Sequence, residues 1–125
     1  MSSKNWHILV VEDDPDGQEV VATILEHLNI SIDVAGNVAE AEQFLFNSGR
    51  VYQAAILDLA LPDKNGWELL EEILANPSTA SLPCVAVTAY HTSKLREDAL
   101  RAGFTAYFAK PIDATSFARR LEELA

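Results

Sequence analysis

The chain has 125 residues, 49% of them hydrophobic, which suits one domain on one core and leaves little room for a second. With 19 acidic residues against 9 basic ones the net charge is −10, so the surface repels phosphate backbones and anionic headgroups; direct nucleic-acid or membrane binding is not expected, and a metal cation or a basic protein patch is the expected partner. No apolar run approaches the roughly twenty residues of a membrane span, no secretory leader is evident, and the lone Cys84 rules out an internal disulfide, all of which points to a reducing, cytoplasmic setting.

Taken in order, Trp6 to Val11 is a β-branched apolar run ending in Glu12, Asp13 and Asp14. Pro15 and Asp16 then sit where the first turn of a helix tolerates or favours them. Val20, Val21, Ile24, Leu25 and Leu28 recur at helical spacing and predict one core-facing stripe. Ile30 to Ala35 alternates, with Ile32 and Val34 on one side and Ser31 and Asp33 on the other, as an edge strand does. Gly36-Asn37 turns the chain into a second helix carrying Val38, Ala41, Phe44 and Leu45, which Asn47-Ser48-Gly49 ends.

Ala54-Ala55-Ile56-Leu57-Asp58 is a short continuous apolar run stopping at a carboxylate and passing into the turn residues Leu61 to Gly66. Such a run reads as a central strand of a parallel sheet, buried on both faces. Trp67, Leu70, Ile73 and Leu74 mark a third helix, and Leu82 to Thr88 a fourth strand. Leu95, Ala99, Leu100 and Ala102 lie on a fourth helix ended by Gly103. Ala106 to Ala109 is a short fifth strand reaching Lys110-Pro111, and Asp113 caps a last helix with Phe117, Leu121 and Leu124. Strict alternation of five strands with five helices predicts a doubly wound parallel sheet with helices on both faces. No internal repeat or linker is visible, so residues 1–125 are expected to form a single domain with no output domain.

The chemistry emerges when the strand ends are taken together: Glu12, Asp13 and Asp14 after the first, Asp58 at the third, Thr88 at the fourth and Lys110 at the fifth. In a parallel sheet these lie on one edge, where ligands bind. Carboxylates crowded there take up protons unless a cation sits among them. A few oxygen ligands suit Mg²⁺, with Mn²⁺ as an alternative, and favour a site completed by a phosphate group.

As a set, Ile8-Leu9-Val10-Val11-Glu12-Asp13-Asp14-Pro15, Asp58-Leu59-Ala60-Leu61-Pro62 with Asn65-Gly66, Val87-Thr88-Ala89 and Tyr107-Phe108-Ala109-Lys110-Pro111 resemble the receiver domain of two-component response regulators. The resemblance covers essentially the whole chain and is to the stand-alone, single-domain type. It implies a flavodoxin-like (βα)5 fold with strand order 2-1-3-4-5. It also implies that Asp58 is the phosphoacceptor, taking a phosphoryl group from a sensor histidine kinase or a histidine phosphotransfer protein. Asp13 would bind the metal directly, Glu12 would hold it through water or orient its shell, and Asp58 and the backbone carbonyl of Ala60 would complete the set. Thr88 and Lys110 would hold the phosphoryl oxygens, the Lys110-Pro111 bond would be cis, and Tyr107 would be a switch aromatic that turns inward as Thr88 moves. The implied signalling surface for a downstream protein target is the fourth helix, fifth strand and fifth helix. No enzymatic activity beyond self-phosphorylation from a donor and self-dephosphorylation is implied.

Each residue alone has a plainer reading. Asp14 reads as a turn or helix-start acid and stays outside the metal set, Thr88 alone is a strand residue, and Lys110 alone is a surface lysine. Tyr107 alone is core with a surface hydroxyl, and Cys84 reads as a buried small hydrophobe. His7, His27 and His91 show no ligand spacing and read as surface or boundary residues. Ala60 and Tyr90, two residues beyond Asp58 and Thr88, leave the lifetime of an acyl phosphate open, because in receivers these positions modulate access of water to it. Two other readings compete. A haloacid-dehalogenase-like phosphatase would need an acid where Ala60 stands, and a pseudo-receiver that never becomes phosphorylated would usually lack the acceptor, an acid or the lysine. No glycine-rich phosphate loop follows the first strand, which disfavours nucleotide binding.

Overall fold

The computed structural model describes residues 6–60 and 65–124; the predicted turn Leu61, Pro62, Asp63 and Lys64 lies outside the described residues. The elements run β1 (His7–Val11), α1 (Pro15–His27), β2 (Ser31–Ala35), α2 (Val38–Glu42) with a π-helical extension (Gln43–Asn47), β3 (Ala54–Asp58) and α3 (Gly66–Ala75). They continue as β4 (Cys84–Thr88), α4 (Ser93–Ala102), β5 (Ala106–Ala109) and α5 (Ala114–Glu123). The five strands form one parallel sheet in the order β2-β1-β3-β4-β5, the doubly wound, flavodoxin-like arrangement expected.

Because successive strand residues face opposite sides, each central strand feeds two cores. Leu9, Val11, Ala55, Leu57 and Ala86 join Ala41, Leu69, Ile73, Ala99 and Phe104 under α2, α3 and α4. Ile8, Val10, Ile56, Val85 and Val87 join Val21, Leu25, Phe117 and Leu121 under α1 and α5. All five residues of β3 and all five of β4 are buried, as continuous apolar runs covered on both faces must be.

The helices start at the sheet edge that carries the strand C-termini, and each start is capped by a side chain. Asp14 accepts from the Asp16 N–H, Asn37 from Glu40, Asn65 from Glu68, Thr92 from Leu95 and Asp113 from Thr115. Each such cap is worth about 1 kcal/mol, and together they hold the loops of that edge at defined positions.

The structure departs from the sequence reading at several positions. The second helix does not run uniformly: Gln43–Asn47 widens into a π-turn, with the Ser48 hydroxyl donating to the Phe44 carbonyl at 2.5 Å. Apolar spacing does not distinguish that turn from an α-turn, since Leu45 is buried in both readings. Val20, expected on the core-facing stripe of α1, is 47% exposed, and the helix-marking Leu74 and Leu100 are 42% and 39% exposed. They sit on the flanks of their helices, where the apolar stripe is wider than the surface the sheet covers. On β2, Asp33 is held by Tyr52, which donates to it at 2.7 Å, and by Arg50 at 3.2 Å. His7 Nε2 stands 2.9 Å from the same carboxylate without the alignment of a hydrogen bond.

Candidate functional site

The C-terminal ends of β1, β3, β4 and β5 are adjacent because the strand order brings them side by side. Asp58 pairs in register with Val87, one residue before Thr88, and Thr88 pairs with Ala109, one residue before Lys110. The Lys110 backbone N–H donates to the Thr88 carbonyl at 2.8 Å, so the ends of β4 and β5 are joined at the site. The Lys110-Pro111 bond is cis.

Glu12 leaves β1 and turns its carboxylate into the interior. Its backbone N–H is held by the Ala35 carbonyl at 3.0 Å and its carbonyl accepts from Gln18 Nε2 at 2.6 Å. The carboxylate packs so closely on α1 that a Cβ at position 17 would force it to shift. Neither Gly17 nor Gln18 was singled out from the sequence, because only the folded chain places them against Glu12. Asp58 Oδ1 accepts from the Ala60 backbone N–H at 2.9 Å, so that amide fixes the carboxylate's orientation.

Lys110 Nζ lies 2.5 Å from Glu12 Oε1 and 2.9 Å from Asp58 Oδ2. Glu12 and Asp58 are buried and Asp13 is exposed, yet one carboxylate oxygen from each of the three lies within 4.8 Å of the others. Burial, reinforced by the neighbouring Asp58, pushes the Glu12 carboxyl up to about 7 even with Lys110 beside it. Burial alone would lower the Lys110 ammonium, but the hydrogen bonds and charges of Glu12 and Asp58 outweigh it and leave its pKa raised. With three carboxylates and one ammonium, the site carries an excess of negative charge that fits a divalent cation with oxygen ligands.

Thr88 is buried at the end of β4, and its hydroxyl oxygen accepts from the Tyr90 backbone N–H at 3.0 Å. Tyr107 is half-buried on β5, with its hydroxyl 3.0 Å from Nδ1 of His91. Asp14 caps α1, and the clustered carboxylates are Glu12, Asp13 and Asp58.

The fold and site together define a flavodoxin-like domain whose sheet edge holds an acidic pocket bridged by a lysine. Residues 8–122 match the response regulator receiver domain, and the chain belongs to that family. An uncharacterized 14.6 kDa protein of Leptolyngbya boryana is 34% identical over 93% of this chain and 87% of its own length. The chain spans only 14% and 23% of two longer curated relatives. Among solved structures, the non-phosphorylated HemR receiver domain of Leptospira biflexa is 30% identical with a TM-score of 0.82, covering 96% of this chain and 94% of that one. The receiver domain of sensor histidine kinase PA1611 from Pseudomonas aeruginosa, with a magnesium ion coordinated in its active-site cleft, is 29% identical with a TM-score of 0.85. The match covers 96% of this chain and 97% of that one.

Among the described residues, no helix is long and apolar enough to cross a membrane.

Proposed function

We propose that this receiver domain accepts a phosphoryl group on Asp58 from a phosphohistidine of a sensor histidine kinase or histidine phosphotransfer protein and responds by changing its binding to a downstream protein. The observation that carries this reading is the Lys110 ammonium bridging the buried carboxylates of Glu12 and Asp58.

In the reaction a carboxylate oxygen of Asp58 forms the new O–P bond as the N–P bond of the donor breaks, and the released electron pair stays on the imidazole nitrogen. Glu12, Asp13 and Asp58, with the Ala60 carbonyl, would hold Mg²⁺ or Mn²⁺, which supplies neutralisation of phosphoryl charge when bound. Lys110 exchanges part of its contact with Asp58 for a phosphoryl oxygen, and Thr88 turns its hydroxyl proton toward another. The Ala60 N–H keeps Asp58 aimed while this happens. The protein catalyses its own phosphorylation and dephosphorylation and no other reaction.

Exposed Val20 lies with Gly17, Pro111 and Ile112 along a cleft of about 260 Å³ that opens from Glu12 and Lys110, a surface suited to the donor's approach. The output surface is α4, β5 and α5. There Arg96, Arg119 and Arg120 line a cleft with Tyr107 and Phe108, a basic patch on a chain of net charge −10.

Intact-mass spectrometry after incubation with acetyl phosphate, with and without Mg²⁺, tests the reading on wild type and Asp58→Asn. A metal-dependent phosphoryl adduct lost in the variant is expected. An adduct that persists in Asp58→Asn overturns the acceptor assignment, and no adduct on a protein that binds Mg²⁺ favours an interaction module that never becomes phosphorylated.

A further inference from the structure

His91 stands in the loop between β4 and α4, and its Nδ1 lies 3.0 Å from the Tyr107 hydroxyl. The two rings also touch, with centroids 5.5 Å apart and planes tilted by 50°. Among the described residues the Tyr107 hydroxyl hydrogen-bonds to no other side chain or backbone group. His91 is exposed and Tyr107 half-buried, so the contact lies on the rim of the domain and not in its core.

The same short loop is held at two further points. Its start is fastened by the Tyr90 backbone N–H donating to Thr88 Oγ1 at 3.0 Å, and its end by the Thr92 hydroxyl capping α4 through the Leu95 N–H at 3.0 Å. Thr88, Tyr90 and His91 therefore lie on one four-residue path from the site to the Tyr107 ring. A motion of Thr88 that gives up the Tyr90 bond unfastens the start of the backbone that carries His91.

We propose that His91 is a positioning residue of the switch: it latches the Tyr107 ring at the outer edge of β5 in the resting domain and releases it when the loop moves with Thr88. The inference deepens the function proposed above and rests on it for its consequence, but the latch itself is a property of the unphosphorylated chain. With neutral His91 in the Nε2–H tautomer, the Tyr107 hydroxyl donates to Nδ1, leaving the imidazole N–H toward solvent. One hydrogen bond with one ring contact at a partly exposed site biases a two-state side chain by about threefold to tenfold. That is enough to tune a switch without locking it.

The experiment compares wild type with His91→Ala, His91→Gln, Tyr107→Phe and the His91→Ala/Tyr107→Phe double variant, each checked for an unchanged urea midpoint. The first readout is made on unphosphorylated protein: the Tyr107 χ1 couplings by NMR, and the His91 ring tautomer by long-range ¹H–¹⁵N correlation. A single Tyr107 rotamer in wild type, averaging in His91→Ala, recovery in His91→Gln and loss of the Nε2–H preference in Tyr107→Phe are expected. The second readout is the rate of adduct formation from acetyl phosphate with Mg²⁺. It should rise by about threefold to tenfold in His91→Ala and in Tyr107→Phe, with no further rise in the double variant, because both remove one interaction. An unchanged Tyr107 rotamer in His91→Ala, or rate effects that multiply in the double variant, overturns the latch. If wild type takes up no phosphoryl group at all, the function proposed above fails, and the rotamer and tautomer readouts still decide the latch.

Discussion

Lys110 Nζ stands 2.9 Å from Asp58 Oδ2 across 52 residues of chain. The same ammonium contacts Glu12, so one cation serves two buried carboxylates. That arrangement keeps the pocket assembled before any ligand enters, and it means that whatever binds there competes with or relieves Lys110.

Lys110→Ala leaves Glu12 and Asp58 facing each other without a cation. Removing one partner of a buried ion pair costs about 3–5 kcal/mol, and opening the site to water places this case at or below the lower end. Urea unfolding should show the loss in metal-free protein and its substantial recovery in excess Mg²⁺, with a larger metal-induced shift than in wild type. Equal shifts in the two proteins would mean that Lys110 does not offset the carboxylate charge.

Metal-free stability should fall as pH rises from about 4.5 through about 7. Glu12 has its carboxyl pushed up to about 7 from the usual 4.5, so over that window the folded chain holds a proton that the unfolded chain has released. The group's contribution is therefore fully present below 4.5 and lost as pH passes about 7. Glu12→Gln should flatten that part of the profile in chemical denaturation. An identical slope in the variant would contradict the assignment of the shift to Glu12.

Gly66→Ala tests how closely α3 approaches the end of β3. A Cβ at this position would lie 2.6 Å from the Asp58 carbonyl oxygen and 3.0 Å from the Leu59 Cα, both backbone atoms that cannot swing aside. Overpacking of this kind costs about 1–3 kcal/mol. The urea midpoint should drop accordingly, and the Asp58 backbone amide should shift in NMR spectra as the start of α3 backs away.

Cys84 should be inert in the native protein. Burial pushes its thiol up to about 12 from 9, so almost no thiolate exists at neutral or mildly alkaline pH. Iodoacetamide at pH 8 should label it only in step with global unfolding; fast labelling of folded protein would show that the β4 core opens locally.

The sequence alone reached the strand–helix alternation because apolar runs, helical spacing and capping residues are local signals. Ala54 to Asp58 reads as a buried central strand without any partner in view, and Asp113 reads as a cap from its neighbours alone. The π-turn at Gln43–Asn47 escaped that reading because it shares the apolar spacing of an α-turn. The exposure of Val20 escaped it because the width of a buried stripe depends on what packs above it.

By itself the sequence determined the set of reactive groups and the edge on which they gather, since every strand of an alternating parallel sheet ends on the same side. Only the tertiary structure decided which atoms meet. Lys110 bridges Glu12 and Asp58, Gly17 makes room for the Glu12 carboxylate, the Ala60 amide orients Asp58, and His91 reaches Tyr107. These pairings depend on strand register, on loop conformation and on the packing of α1 and α3 against the strand ends. Such terms are set by contacts between segments distant in the chain, and no local pattern of residues encodes them.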